Sequence, residues 1–308
     1  MNRCAISTSW RSEGVKDGLE LVEAVREVGF STLELEFRIR PEILEAIKKN
    51  REEWGIRALS LHAPCPALWV DGKKAAEYLI SDEDESNRRR GVERIKETLQ
   101  NAVELDARAV VLHCGRVNMD EPIYPMMEFY DQRGMASDSA RDFLREASLT
   151  RRKASEKSLP ALLKSLEEIN EEAIRRGVPV GLENRYYFRE MPDSEEMDII
   201  LERFEGGNLW YWHDTGHAHA REVLFGLPQR EMLETFSDRL LGVHLHDAVG
   251  YTDHDEPGKG DIDFLMVKEF LGPRTLRVME LHPRVDVEGA RRGIAFLREK
   301  GIFDSLEG

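Results

Sequence analysis

Histidine and carboxylate residues recur at one kind of position in this chain. Six apolar, β-like runs close on them. LHAP carries His62, LHCG carries His113 and LENR carries Glu183. WHDTGHAHA carries His213, Asp214, His217 and His219, HLHD carries His244, His246 and Asp247, and ELHP carries Glu280 and His282. With His254 in the loop DHDEPGKG, all nine histidines lie in or just after the ends of these runs. Neutral imidazole with carboxylate is the ligand set of Zn, Mn, Fe, Co or Ni rather than of a calcium cage. A lone histidine after a strand is more often a packing residue. So many that converge imply a cation, because buried charge needs partners.

Strand alternation sorts the candidates. His244 and His246 stand two apart and share a face. His213 and Asp214 are adjacent, so in a regular strand they point apart; Asp214 reads as inward and His213 as packed. His282 reads as a packing residue. Cys114 beside His113 is discounted as a nucleophilic pair for the same reason. In TLELEF, Glu34 and Glu36 share a face, and Glu36 is a candidate for a substrate hydroxyl. Arg185 suits a substrate carboxylate or phosphate, although an arginine at a barrel rim more often pairs with a neighbouring acid. Lys259, between two glycines ahead of a helix, suits an anion at a helix N-terminus. Trp10 and Trp69 are candidates for stacking on a ring, whereas Trp212 reads as packing.

These residues need a scaffold that brings strand ends together. Strand candidates are 4–7, 32–37, 56–62, 109–114, 179–184, 209–214, 240–247 and 276–283. Each is followed by an amphipathic stretch: 17–28, 41–53, 91–105, 158–176, 194–203, 222–237, 262–270 and 287–300. Eight strands alternating with eight helices predict a closed (β/α)8 barrel, with the strand ends at one mouth. An open doubly wound sheet is the rival, but its glycine-rich phosphate turn is missing from STSWRSEG after the first strand. The whole chain, 1–308, reads as one such domain. Long connections after the third and fourth strands, 65–90 and 116–157, fall on the mouth face.

The 308 residues carry 44 Lys and Arg against 59 Asp and Glu, a formal net charge of −15. That charge disfavours nucleic acid and anionic membranes without excluding the former. No apolar run is long enough for a transmembrane helix, and the first residues show no secretory h-region. Three cysteines without a CxxC pair fit a reduced, cytoplasmic protein. A small-molecule substrate is expected, and a homo-oligomer is left open.

LHAP, VLHCG, GLEN, WHDTGHAHA, GVHLHDAVGYTDHDEPGKGDID and VMELHP together resemble the xylose-isomerase-like TIM barrels. These include sugar isomerases, ketose 3-epimerases and endonuclease IV-type AP endonucleases. The resemblance spans roughly 56–283 and implies two possible site designs. In the isomerase and epimerase branch, Glu183, Asp214, His244 and Glu280 would hold one divalent ion. Glu183 and Glu280 would exchange a substrate proton through an enediolate. In the endonuclease IV branch, His62 and His113 would belong to a first zinc site bridged by Glu183, and His217 and His254 to a third. That branch expects Asp-x-His, whereas here Thr252 stands two before His254 and Asp253 is adjacent. The resemblance thus implies a divalent cofactor (Mn, Co, Fe or Zn), one to three per chain. The activity expected is sugar isomerisation or epimerisation. A multi-zinc hydrolase, acting on abasic DNA or an amide, is the alternative. His246, Arg185, Glu36 and Lys259 are the expected substrate contacts.

Overall fold

The computed structural model describes residues 3–303. Eight strands form a closed parallel barrel. They are β1 (Cys4–Ser7), β2 (Thr32–Leu35), β3 (Arg57–Ala63), β4 (Ala109–Leu112), β5 (Val180–Glu183), β6 (Leu209–Asp214), β7 (Leu240–Leu245) and β8 (Leu276–Met279). Each pairs with its sequence neighbours, and β1 closes on β8 through Ala5 opposite Val278. The strands read as near-continuous apolar runs because both faces are covered, as parallel sheets require. The outward face joins the helices in one large core that includes Leu33, Leu61, Val110, Leu182 and Val243.

The inward face makes a second, smaller apolar cluster: Ala5, Leu59, Ala109, Val111, Trp212, Leu276 and Val278. Trp212 fills most of this lumen and is fully buried. Its neighbours make room. A Cβ at Gly181 on β5 would stand 2.8 Å from the indole, and one at Gly242 on β7 would stand 2.3 Å from it. Small residues on flanking strands therefore let one large aromatic close the barrel floor, in line with packing rather than ring stacking for Trp212.

The connections differ more from expectation. The 116–157 segment is largely helical: a helix over Ile123–Asp131 precedes a 39-residue helix over Asp138–Arg176. Helix formers dominate this stretch, but charged residues on its solvated face dilute the apolar period. Phe143 and Leu144 pack onto a satellite cluster around Ile123, Met126 and Phe188. Within 65–90, Trp69–Val70 pairs with Lys73–Lys74 in a two-strand hairpin, a 3-10 turn follows over Ala75–Glu77, and the next α-helix starts at Glu85. The stretch expected as one helix over 222–237 is two, Thr215–Phe225 and Gln229–Phe236. Gly226 at φ +67° ends the first, and Pro228 precedes the second. Among the described residues, no helix is long and apolar enough to cross a membrane.

Candidate metal centre

Two residues along each of four strands, the inward face changes from apolar or small to ionic. Gly181 gives way to Glu183, Trp212 to Asp214, Gly242 to His244, and Val278 to Glu280. Strand alternation forces the latter to share the lumen with the former. Ligand atoms of Glu183, Asp214, His244 and Glu280 lie within 4.8 Å of one another, all buried. His244 Nδ1 is the focus: Glu183 Oε1 is 2.6 Å away, Glu280 Oε2 3.0 Å and Asp214 Oδ2 3.7 Å.

The opposite edge of that ring is fixed. His244 Nε2 lies 3.1 Å from Glu34 Oε1 on β2. Glu34 also accepts from Ser60 Oγ at 2.7 Å. A carboxylate on the far nitrogen places the proton there and leaves Nδ1 as a ligand lone pair, a common support for metal-bound histidine. Four buried carboxylates, those of Glu34, Glu183, Asp214 and Glu280, thus surround one imidazole. Burial opposes its charge, yet Glu280 and Glu34 hold His244 well above the usual imidazole range. Such an excess of buried negative charge is satisfied by a cation, and one imidazole with carboxylates fits a divalent transition ion.

Asp214 is held on three sides. Its N–H donates to Asn184 Oδ1 at 2.7 Å, and its Oδ1 caps the following helix by accepting from the His217 N–H at 2.7 Å. Both its carboxylate oxygens lie 3.0 Å from His246 Nε2. Burial would raise its carboxyl, but His217 and His246 hold it below the usual range.

Two further groups flank this one. His62, His113 and Glu183 bring ligand atoms together on one side, and Asp214, His217 and His254 on the other. His113 Nε2 is 2.7 Å from Glu183 Oε2, and His62 Nε2 is 3.6 Å from it. In the other group, Asp253 joins although it directly precedes His254. Its Oδ1 is 3.1 Å from His254 Nδ1 and its Oδ2 3.7 Å from His217 Nε2. His254 has φ +57°, so alternation breaks here and neighbouring side chains converge. Against burial, Asp253 raises His254 to about 9. Parts of all three groups line a mouth cavity of about 240 Å³, among them His62, His113, Glu183, His217, His254 and Glu280.

Of the four expected substrate contacts, Glu36, His246 and Lys259 fall outside the mouth cavity and Arg185 lines it. Glu36 lies beyond the end of β2, is fully buried and pairs with Arg38 Nε at 2.9 Å. Arg38, not Glu36, reaches the mouth cavity. His246 follows the end of β7 at Leu245. Besides its contact with Asp214, its Nδ1 accepts from the His254 N–H at 2.8 Å. Both ring nitrogens are engaged, and it positions Asp214 rather than facing the mouth. Lys259 lines a separate cavity with Asp255, Glu256 and Arg284, 3.9 Å from Asp255. Arg185 does line the mouth, but its Nη1 donates to Glu183 Oε2 and, at 2.6 Å, to His113 Nε2. His213 is packed between Tyr211 and Gln229, and burial lowers it to about 3. His282 is exposed at the rim, where its Nδ1 accepts from the Arg284 N–H at 3.1 Å. Trp10 is buried, its Nε1 donating to Val285 O at 2.7 Å, while Trp69 is 70% exposed. The residues that sequence reasoning missed are Glu34, Arg38, Asn184 and Asp253. Glu34 carried a signal, sharing a face with Glu36 in TLELEF, and so did Asp253, the acid beside His254.

Solved structures of sugar epimerases have this barrel. A D-tagatose 3-epimerase-like protein superposes with TM-score 0.70 at 21% identity, over 97% of both chains. An L-ribulose 3-epimerase gives 0.68 at 16%, over 97% of this chain and 94% of its own. The IolI protein, crystallised with a zinc atom, gives 0.68 at 15%, over 99% of this chain and 100% of its own. By sequence, an uncharacterised protein of Methanocaldococcus jannaschii, MJ1311, is 29% identical over 193 residues, 61% of this chain. A second, MJ1614, is 26% identical over 198 residues, 62% of this chain. The matches span 54% and 61% of those two proteins. The family model for xylose isomerase-like TIM barrels matches residues 22–300, and the chain belongs to that family.

Proposed function

We propose that this chain is a divalent-metal-dependent isomerase or epimerase of a sugar or sugar derivative. The observation that carries the reading is the pair of glutamates, Glu183 and Glu280, meeting at His244 Nδ1 from different strands, at 2.6 and 3.0 Å. An ion bound among Glu183, Asp214, His244 and Glu280 would supply a Lewis acid. Asp214 and His244 hold fixed positions through Asn184, His246 and Glu34. Glu183 is kept ionised, below the usual carboxylate range, by Arg185 and His113 against the effect of burial. Glu280 faces the mouth cavity with its side chain 10% exposed. One glutamate removes a proton beside the substrate carbonyl, and the other, or the same one, returns it. Removal and return on opposite faces invert a centre; transfer to the neighbouring carbon isomerises it. Superposition on 3-epimerases supports this reading.

The test is deuterium incorporation from D2O into a panel of ketopentoses and ketohexoses by the Mn- or Co-loaded protein. Exchange is expected in the wild type. It falls by about 10²–10⁴ in Glu280→Gln with the circular dichroism unchanged. Exchange retained in that variant overturns the reading.

A multi-metal hydrolase is the second reading, favoured by the two flanking histidine groups. Cleavage of an abasic-site duplex by the zinc-loaded protein, with no proton exchange into sugars, would establish it.

A further inference from the structure

We propose that Arg185 is itself the cation of the His62–His113–Glu183 group and keeps a metal ion out of it. The inference rests on an ion in the neighbouring Glu183–Asp214–His244–Glu280 group.

Arg185 Nη1 donates to Glu183 Oε2 and, at 2.6 Å, to His113 Nε2. Those two atoms are 2.7 Å apart, and they are the ones an ion between the histidines and Glu183 would use. A lone pair that accepts from a guanidinium N–H is not available to a metal. The far edge of the guanidinium is anchored as well. Glu190 Oε1 lies 3.4 Å from Nε and 3.3 Å from Nη2, and Glu190 Oε2 in turn accepts from the Tyr187 N–H at 2.9 Å. The arginine is 8% exposed, and its backbone oxygen accepts from Arg221 Nη1 at 3.4 Å. It issues from the end of β5, two residues after Glu183, so the chain that delivers the carboxylate also delivers its counter-ion.

A guanidinium does not lose its proton in proteins, so this cation is permanent. A divalent ion in the same group would meet a fixed like charge at contact range. Glu183 divides its oxygens accordingly: Oε2 toward Arg185, and Oε1, 2.6 Å from His244 Nδ1, toward the four-ligand group. The geometry thereby makes Glu183 a carboxylate shared between a built-in cation and a bound one, rather than a bridge between two metals. His113, hydrogen-bonded to Arg185, and His62, 3.6 Å from Glu183 Oε2, become walls of the mouth cavity instead of ligands.

The test is metal stoichiometry by elemental analysis after equilibrium dialysis against Zn2+ or Mn2+ alone. His62→Ala and His113→Ala are expected to bind the same number of ions as the wild type. Arg185→Gln is expected to bind one more, and the double variant Arg185→Gln/His113→Ala to return to the wild-type number. A count lowered by one in His113→Ala overturns the proposal. So does an Arg185→Gln count equal to the wild type, or an additional ion that survives loss of His113. The histidine variants decide the matter even if Arg185→Gln does not fold. Failure of the four-ligand reading is seen separately, as a count unchanged in His244→Ala.

Discussion

The barrel lumen holds two layers that follow different rules. The lower one, with Ala5, Val111, Trp212 and Val278, is complete in itself: a single indole fills it, and Gly181 and Gly242 make the space. The upper one carries Glu183, Asp214, His244 and Glu280, two residues on from Gly181, Trp212, Gly242 and Val278, together with Glu34 from β2, all buried. Its negative groups exceed the cations the chain supplies, and Arg185 reaches only one side of it. The same backbone thus positions a closed apolar floor and an open ionic roof. Shape complementarity finishes the first, whereas the second gathers ligand atoms that could hold an ion.

The sharpest way to break this contrast is to damage one layer and read the other. Trp212→Ala should cost about 3–5 kcal/mol of stability by chemical denaturation, because its space cannot collapse in a closed barrel. Metal affinity measured in the folded protein should change far less. A loss of affinity without a loss of stability would show that the layers are not separable. Glu34→Gln should do the opposite. It removes the charge that fixes His244 Nε2, so metal affinity should fall about 10–100-fold by competition with a chromophoric chelator. Unaltered affinity would mean that Glu34 does not orient the ring. Gly242→Ala puts a methyl against Trp212 and should destabilise by about 1–3 kcal/mol; an unchanged denaturation midpoint would show the floor to be slack. The smallest effect belongs to Lys259→Ala. Its side chain is 62% exposed beside Asp255 and outside the mouth cavity. Stability and activity should stay within about 0.5 kcal/mol of wild type, and a large drop in activity would return Lys259 to the substrate site.

The alternation of strands with helices made the barrel legible, and six of the eight strands close on histidine or carboxylate residues; alternation within the strands then sorted those residues. The family resemblance implied the set Glu183, Asp214, His244 and Glu280, and alternation within the strands agrees with it. Alternation failed where strands stop. Glu36, His246 and Glu280 each stand one residue past a strand, and there parity is kept by Glu280 alone: Glu36 is held by Arg38, and His246 by Asp214 and the His254 N–H. At Asp253 and His254 the left-handed backbone turns adjacent residues to one side, which no periodicity foretells. Arg185 posed a different problem. Its position at the barrel rim suits either a substrate anion or a neighbouring acid, and the anion it meets is Glu183, two residues away. The long helix over Asp138–Arg176 was legible only over 158–176; its first half is less so because its charged face hides the apolar stripe.

The most direct test of the account is anomalous diffraction from crystals soaked in Mn2+ or Co2+. The account predicts a peak within coordinating distance of Glu183, Asp214, His244 Nδ1 and Glu280, with Glu34 on the other side of the His244 ring. Protein that takes up the ion but shows no peak among those four residues would contradict it.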